Sequence, residues 1–376
     1  MPDLAEIIRS VGDEYLASRA TTPFQRKAMR AIRRCRSEEM GWLPASCEGC
    51  GAEFPLFRSC RNRNCPQCQA QARAEWLEQR EKELLPVPYF HVVFTVPAML
   101  NPIALHCPEV FYTALLRAAG NALLDVGWSK LKARLGCLTI LHTWGQNLSL
   151  HPHVHCVVPG GGFRGDGKRW IAVPNPKYLL PIKVLALRFR TLLCHALRTA
   201  ERNGEFLRVP PDVLPHTTIE GAAAQEWIAY AKRPFGGPAQ VLSYLSQYTH
   251  RIAISNHRIV AYEDGDVTFR WRDYADENRT KLCTLGALEF LRRFLQHVLP
   301  DRFVRIRYFG FMANRNRGSN IRRARSLIGQ CTPLRPPDRR QALLLCPMCR
   351  GQATSTTFTP TARDQRSPPP LTFAAA

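Results

Sequence analysis

The stretch that most limits how this chain can fold is Leu150-His151-Pro152-His153-Val154-His155-Cys156-Val157-Val158. Val154, Cys156 and Val158 alternate with His153, His155 and Val157, the two-residue period of a half-buried β-strand. Side chains two residues apart leave a strand on one face, so His151, His153 and His155 all point the same way. Two neutral imidazoles placed like that can grip one divalent ion. Pro159-Gly160-Gly161-Gly162 then breaks the strand just beyond the histidines. With eleven histidines in 376 residues a lone His-x-His carries little weight, whereas three on one valine-backed face carry more. The competing reading is a set of polar core or surface histidines.

Cysteines impose the second constraint. Cys47-Glu48-Gly49-Cys50 is followed by Cys65-Pro66-Gln67-Cys68, two Cys-x2-Cys pairs separated by fourteen residues. That spacing matches a four-thiolate Zn²⁺ site in which each pair forms a knuckle, so Cys47, Cys50, Cys65 and Cys68 are the expected zinc ligands. Cys35 and Cys60 are surplus, and Cys60 lies close enough to compete for a ligand position. Cys346-Pro347-Met348-Cys349 is a lone third knuckle, either half of a composite site or vestigial. Fourteen cysteines, many of them in tight pairs, fit a reducing compartment with metal binding better than a disulfide scaffold.

Charge narrows the partner. Lys and Arg number 52 against 30 Asp and Glu, a surplus of +22 with a sequence pI near 9.9. That favours a polyanion, nucleic acid before membrane. Between residues 270 and 340, seventeen Lys/Arg face six Asp/Glu, with Trp271, Tyr274, Phe303, Tyr308 and Phe309 interleaved. This is the composition of a surface that tracks a phosphate backbone and stacks bases, with Arg307, Arg315 and Arg317 prominent in it. Arg61 and Arg63, between the cysteines, suit backbone contacts as well. No apolar leader opens the chain. Residues 86–108 lack charge but are interrupted by Pro86, Pro88, Pro97, Pro102 and Pro108, which reads as buried core rather than a membrane span.

The pattern predicts helix over 1–34, a charged helix over 70–84, strands near 89–96 and 138–144, and helices near 109–126 and 182–203. Short strands follow within 252–275, turning at Asp264-Gly265-Asp266. The economical architecture is α+β, an antiparallel sheet with helices on one face. Four consecutive blocks result: 1–85, helix and zinc-binding ribbon; 86–275, catalytic domain; 276–352, basic DNA-binding region; 353–376, a disordered tail rich in Thr, Ser, Pro and Ala.

One further constellation bears on chemistry. Tyr244 and Tyr248 are at i and i+4 of a predicted helix, with phenols on one face among Ser246, Gln247, Thr249, His250 and Arg251. An aromatic pair at that spacing usually packs in a core, but this setting is polar. A metal on strand histidines and a pair of phenols together point to phosphodiester cleavage by tyrosine attack, with the ion activating the phosphate.

The motifs resemble one known family. Ser59–Cys68 (SCRNRNCPQC), Tyr89–Pro97 (YFHVVFTVP), His142–Cys156 (HTWGQNLSLHPHVHC), Tyr244–Arg251 (YLSQYTHR) and Ile306–Gly310 (IRYFG) are similar to the rolling-circle transposases of the insertion sequence ninety-one family. These belong to the HUH (His-hydrophobic-His) endonuclease superfamily. The resemblance spans about residues 30–330 and departs at Asn64, where a histidine would be expected. It implies an HUH-type antiparallel sheet with flanking helices and an N-terminal zinc ribbon. It implies His153 and His155 as paired ligands of Mg²⁺ or Mn²⁺, with a third ligand among His151, Gln146 and His91. It implies Tyr244 and Tyr248 as nucleophiles, single-stranded DNA at element ends and target as partner, and residence in the bacterial cytosol or nucleoid. Metal-dependent hydrolysis without a covalent intermediate, and a non-catalytic zinc-ribbon DNA-binding protein, are the competing readings.

Overall fold

The computed structural model describes residues 2–68, 76–232, 240, 253–274, 276–329, 346–351 and 353–355. They are mixed helix and antiparallel sheet, in two units that interleave along the chain. One is built from Met1–Ala74, His250–Arg292 and Pro336–Ala376, the other from Glu75–Thr249 and Arg293–Arg335. Described residues from the first stretch and from 346–351 and 353–355 thus share one unit.

In chain order the strands that matter are β1 (Trp42–Cys47), β2 (Glu53–Phe57), β3 (Tyr89–Thr95), β4 (Gly136–Trp144), β5 (Leu150–Pro159), β6 (Ala229–Lys232), β7 (Ile259–Glu263), β8 (Asp266–Asp273), β9 (Arg279–Gly286), β10 (Ile306–Gly310) and β11 (Ala353–Ser355). The main helices are α1 (Leu4–Ser18), α2 (Pro23–Arg34), α3 (Pro108–Leu131), α4 (Ile182–Arg202), α5 (Ala287–Leu295) and α6 (Arg317–Ile328).

The unit around the histidines is a five-stranded sheet in the order β10-β4-β5-β3-β6, antiparallel at every pairing. β3 reads Tyr-Phe-His-Val-Val-Phe-Thr, aromatic and β-branched residues that fill a pleat buried on both sides. On one face Phe90, Val92, Phe94, Leu141, Val154, Cys156 and Val158 share a core with Leu115 and Leu123 of α3 and Phe189 and Leu193 of α4. Phe94 and Phe189 lie 4.7 Å apart between ring centres. A contact of that kind contributes about 0.5–1.5 kcal/mol beyond area burial. α3 begins at Pro108, whose ring pre-sets the first helical φ, and ends on Lys132 in a left-handed conformation. On the other face Tyr89, Leu138, Ile140 and Val157 pack with Leu84, Leu85 and, from α6, Ile321 and Ala324. Helices therefore cover both faces, not one. The reason is that β3, β4 and β5 are apolar on both sides outside the histidine positions.

In the other unit, Asp3 Oδ1 accepts the Glu6 N–H at 2.8 Å to start α1, and Thr22 and Gln25 form a reciprocal capping box on α2. The expected helix over 1–34 is thus two helices. β7, β8 and β9 form a three-stranded meander whose first turn is Asp264-Gly265, with φ of +51° and +83°. Both positive φ values suit the tight turn that matches strand twist. A separate three-stranded sheet, β11-β1-β2, carries Cys47, with Cys47 opposite Ala353. Residues 353–355, read from composition as the start of a disordered tail, are a strand here because β1 presents them a paired edge. The remainder of that expected tail, 356–376, lies outside the described residues. Among the described residues no helix is long and apolar enough to cross a membrane.

Candidate metal centres

β5 holds His153 and His155 on the sheet face away from the α3–α4 core, as the alternation requires. Beside β5 runs β4, and His142 sits opposite His153 in the ladder. His142, His153 and His155 each place a ring nitrogen within 4.8 Å of the others. Ring centres are 4.2 Å apart for His142 and His155, and 4.9 Å for His153 and His155. Three neutral imidazoles so arranged can share one divalent cation.

The tautomers are prepared by neighbours. His153 Nδ1 lies 2.7 Å from the His151 carbonyl oxygen, an acceptor only, so Nδ1 carries the hydrogen and Nε2 keeps its lone pair. His155 Nδ1 lies 2.7 Å from His91 Nε2, and these two rings stack with an interplanar angle of 7°. With the hydrogen of His155 on Nδ1, facing His91 Nε2, His155 Nε2 can act as a ligating atom. Burial pushes His153 down to about 4, against which the bond to the His151 carbonyl acts, so the ring is neutral near pH 7. Trp144 stacks on His142 at 4.5 Å. The β4–β5 turn is pinned from the side by His297, which bridges the Thr143 hydroxyl at 3.1 Å and the Leu148 carbonyl at 3.1 Å.

His142 was not among the expected third ligands. Of those named, His91 is a neighbour of a ligand, and His151 contributes its backbone carbonyl; Gln146 lies in the β4–β5 turn. The strand near 138–144 leads through a short turn into the histidine strand, but the register that sets His142 opposite His153 has no signal in the sequence.

The cysteines form two clusters, which corrects the expected grouping of Cys47, Cys50, Cys65 and Cys68. Cys65 and Cys68 join Cys35 and Cys60, whereas Cys47 and Cys50 join Cys346 and Cys349. Within the first, Cys35 and Cys68 sulfurs are 3.4 Å apart and Cys60 and Cys68 sulfurs 3.5 Å. Tetrahedral thiolates about 2.3 Å from zinc lie roughly 3.8 Å from one another, so these sulfurs surround a space of the right size. The contact with the Cys65 thiol holds Cys60 down to about 5, and the same contact raises Cys65 far above the usual thiol range. Thiols this close resist sharing negative charge, and a divalent cation removes that conflict. Cys35 and Cys60 thus belong to the first cluster, and the fourteen-residue spacing links pairs that lie in different clusters.

Tyr244, Tyr248 and Arg251 lie outside the described residues. Arg307 is half-buried, with Nη2 donating to Thr113 Oγ1 at 3.0 Å and its guanidinium over the Phe303 ring. Arg317 pairs with Glu83 at 3.1 Å and lies over the Tyr308 ring at 4.2 Å. Both are held by protein groups. Arg61 and Arg315 are exposed, and Arg63 is half-buried.

A family model described as a putative transposase matches residues 136–320, and one described as a transposase zinc-binding domain matches residues 7–96. The chain is 44% identical over 342 residues to the putative transposase y4qJ of Sinorhizobium fredii, covering 88% of this chain and 85% of that protein. It is 29% identical over 294 residues to the transposase for insertion sequence element IS801 of Pseudomonas savastanoi pv. phaseolicola, covering 74% and 67%. Among solved structures, the conjugative relaxase TrwC in complex with oriT DNA overlaps at a TM-score of 0.23 with 15% identity, over 43% of this chain and 71% of that one. That overlap is too slight to define shared geometry.

Proposed function

Since this chain belongs to the rolling-circle transposases of the insertion sequence ninety-one family, we propose that it nicks and rejoins single-stranded DNA through a 5′-phosphotyrosine intermediate. The observation that carries the reading is the trio His142, His153 and His155 on one sheet face. These residues would hold the divalent ion through Nε2 of His153 and His155 and a ring nitrogen of His142. The bound ion supplies Lewis-acid activation of the scissile phosphodiester. Three imidazoles and no carboxylate make a donor set that suits Mn²⁺ better than Mg²⁺.

Tyr244 and Tyr248 are the nucleophiles in this proposal. The phenol oxygen of one attacks phosphorus, the bond to the 3′-oxygen breaks, and that oxygen leaves as a free 3′-hydroxyl carrying the proton. Two tyrosines allow a second strand to be cut before the first is resolved. Cys35, Cys60, Cys65 and Cys68, all within the span matched by the transposase zinc-binding domain, would hold Zn²⁺ and shape the ribbon. The partner is single-stranded DNA at the element ends and target.

The test is to incubate the full chain with labelled single-stranded element ends and Mn²⁺, then look for a denaturation-resistant protein–DNA adduct. Tyr244→Phe with Tyr248→Phe should abolish it. Full adduct formation by the double variant overturns the assignment of nucleophile. Cleavage without any adduct and indifferent to both tyrosines would instead indicate hydrolysis by activated water.

A further inference from the structure

We propose that Cys47, Cys50, Cys346 and Cys349 form a second, composite Zn²⁺ site that joins two segments about three hundred residues apart into one ribbon. The zinc-binding domain match ends at residue 96 and does not reach the second pair. The four sulfurs are mutually within 4.8 Å, with Cys47 and Cys349 3.5 Å apart and Cys50 and Cys346 3.7 Å apart. Those pairs are separated by 302 and 296 residues of chain.

The two halves are built alike. In Cys47-Glu48-Gly49-Cys50 the Gly49 N–H donates to Cys47 Sγ at 3.3 Å, and in Cys346-Pro347-Met348-Cys349 the Met348 N–H donates to Cys346 Sγ at 3.4 Å. The Gly51 N–H closes on the Cys47 carbonyl at 3.0 Å, and the Arg350 N–H closes on the Cys346 carbonyl at 3.0 Å. Each turn then returns its first cysteine N–H to the chain beyond, Cys47 to Ala52 and Cys346 to Gly351. Backbone donors aimed at sulfur stabilise thiolate, the form that binds metal. Strand pairing adds a second, independent fixture: β11 lies antiparallel beside β1, with Ala45 opposite Ser355 and Cys47 opposite Ala353.

A need for metal follows from the size of the core. Among the described residues the buried set beneath this sheet is Ala45, Cys47, Phe54, Cys346 and Ala353, with Ala52 and Leu56 packed against it, a small apolar surface for short strands whose partners are hundreds of residues apart. Four thiolates on one zinc make that closure, and binding displaces the thiol protons to solvent. Residues 346–351 and 353–355 accordingly serve the ribbon.

The measurement is zinc per chain on full-length protein purified under reductant, alongside alkylation of each cysteine. Cys50 and Cys349 are exposed thiols. In the wild type we expect two zinc ions per chain, with Cys50 and Cys349 resisting alkylation until a chelator is added. Cys346→Ser with Cys349→Ser should fall to one zinc, and Cys50 should then react without chelator. Prompt alkylation of Cys50 and Cys349 in the untreated wild type, or one zinc per wild-type chain, overturns the proposal even if the variant fails to fold. Retention of two zinc ions by the double variant also overturns it.

Discussion

His153 shows how one side chain couples stability to pH. Its ring is held to about 4 in the folded chain by burial, against an ordinary value near 6.5 when unfolded. Between those values the unfolded chain takes up a proton that the folded chain refuses, so stability falls as pH drops from 6.5 towards 4 and levels off below. The slope from this group is at most about 1.4 kcal/mol per pH unit. Thermal midpoints of chelator-treated protein across that window should therefore decline more steeply for wild type than for His153→Gln; parallel curves would show that the ring carries no such linkage. His91 offers a different test, because it orients a ligand without being one. His91→Ala should weaken Mn²⁺ binding by about 10–100-fold, whereas His142→Ala should remove it, as titration calorimetry would resolve.

At the scale of elements, the β4–β5 hairpin decides the site. Trp144 pairs with Leu150, and an unbroken register would continue to place His142 opposite Pro152, on the wrong face. The register shifts between His142 and Trp144, and His142 comes to lie opposite His153 instead. One extra residue in a strand turns every following side chain to the other face. This is why the helices, strands and alternation around Leu150–Val158 were legible in the sequence while the third imidazole was not. Backbone constraint is also local to particular turns. Gly310 closes β10 at a φ of +60°, and a Cβ there would collide with the Leu135 carbonyl oxygen and sit 2.7 Å from Leu124 Cδ2. Gly310→Ala should cost on the order of 3 kcal/mol, by combined clash and left-handed strain. Gly265→Ala, at a φ of +83° but with open space around it, should cost only about 1–2 kcal/mol. Urea midpoints for the pair would separate collision from conformational strain.

At the scale of the whole molecule, the +22 charge makes binding to DNA a salt-dependent affair. A surface neutralising six to ten phosphates of a single strand should lose roughly 300-fold to 10⁴-fold in affinity between 50 and 200 mM salt, measured by fluorescence anisotropy with single-stranded oligonucleotide. The structure sorts the arginines that composition lumped together. Arg61→Ala and Arg315→Ala should each lower the slope of log affinity against log salt by roughly 0.7 without loss of stability. Arg307→Ala and Arg317→Ala should act first on stability, since their guanidinium groups hold Thr113 and Glu83. A variant of Arg317 that altered only the salt slope would contradict its structural role.

Local pattern sufficed for what depends on neighbours in the chain. The alternating strand with its paired histidines, most of the helices, the knuckles as pairs and the basic surplus all follow from residues a few positions apart. Tertiary structure alone chose which pairs of cysteines meet, which strand supplies the third imidazole, and which arginines remain exposed. Those outcomes depend on contacts between residues up to about three hundred positions apart and on a one-residue shift of register. Neither leaves a periodic trace along the chain, because the chain's periodicity records only which side of an element faces inward.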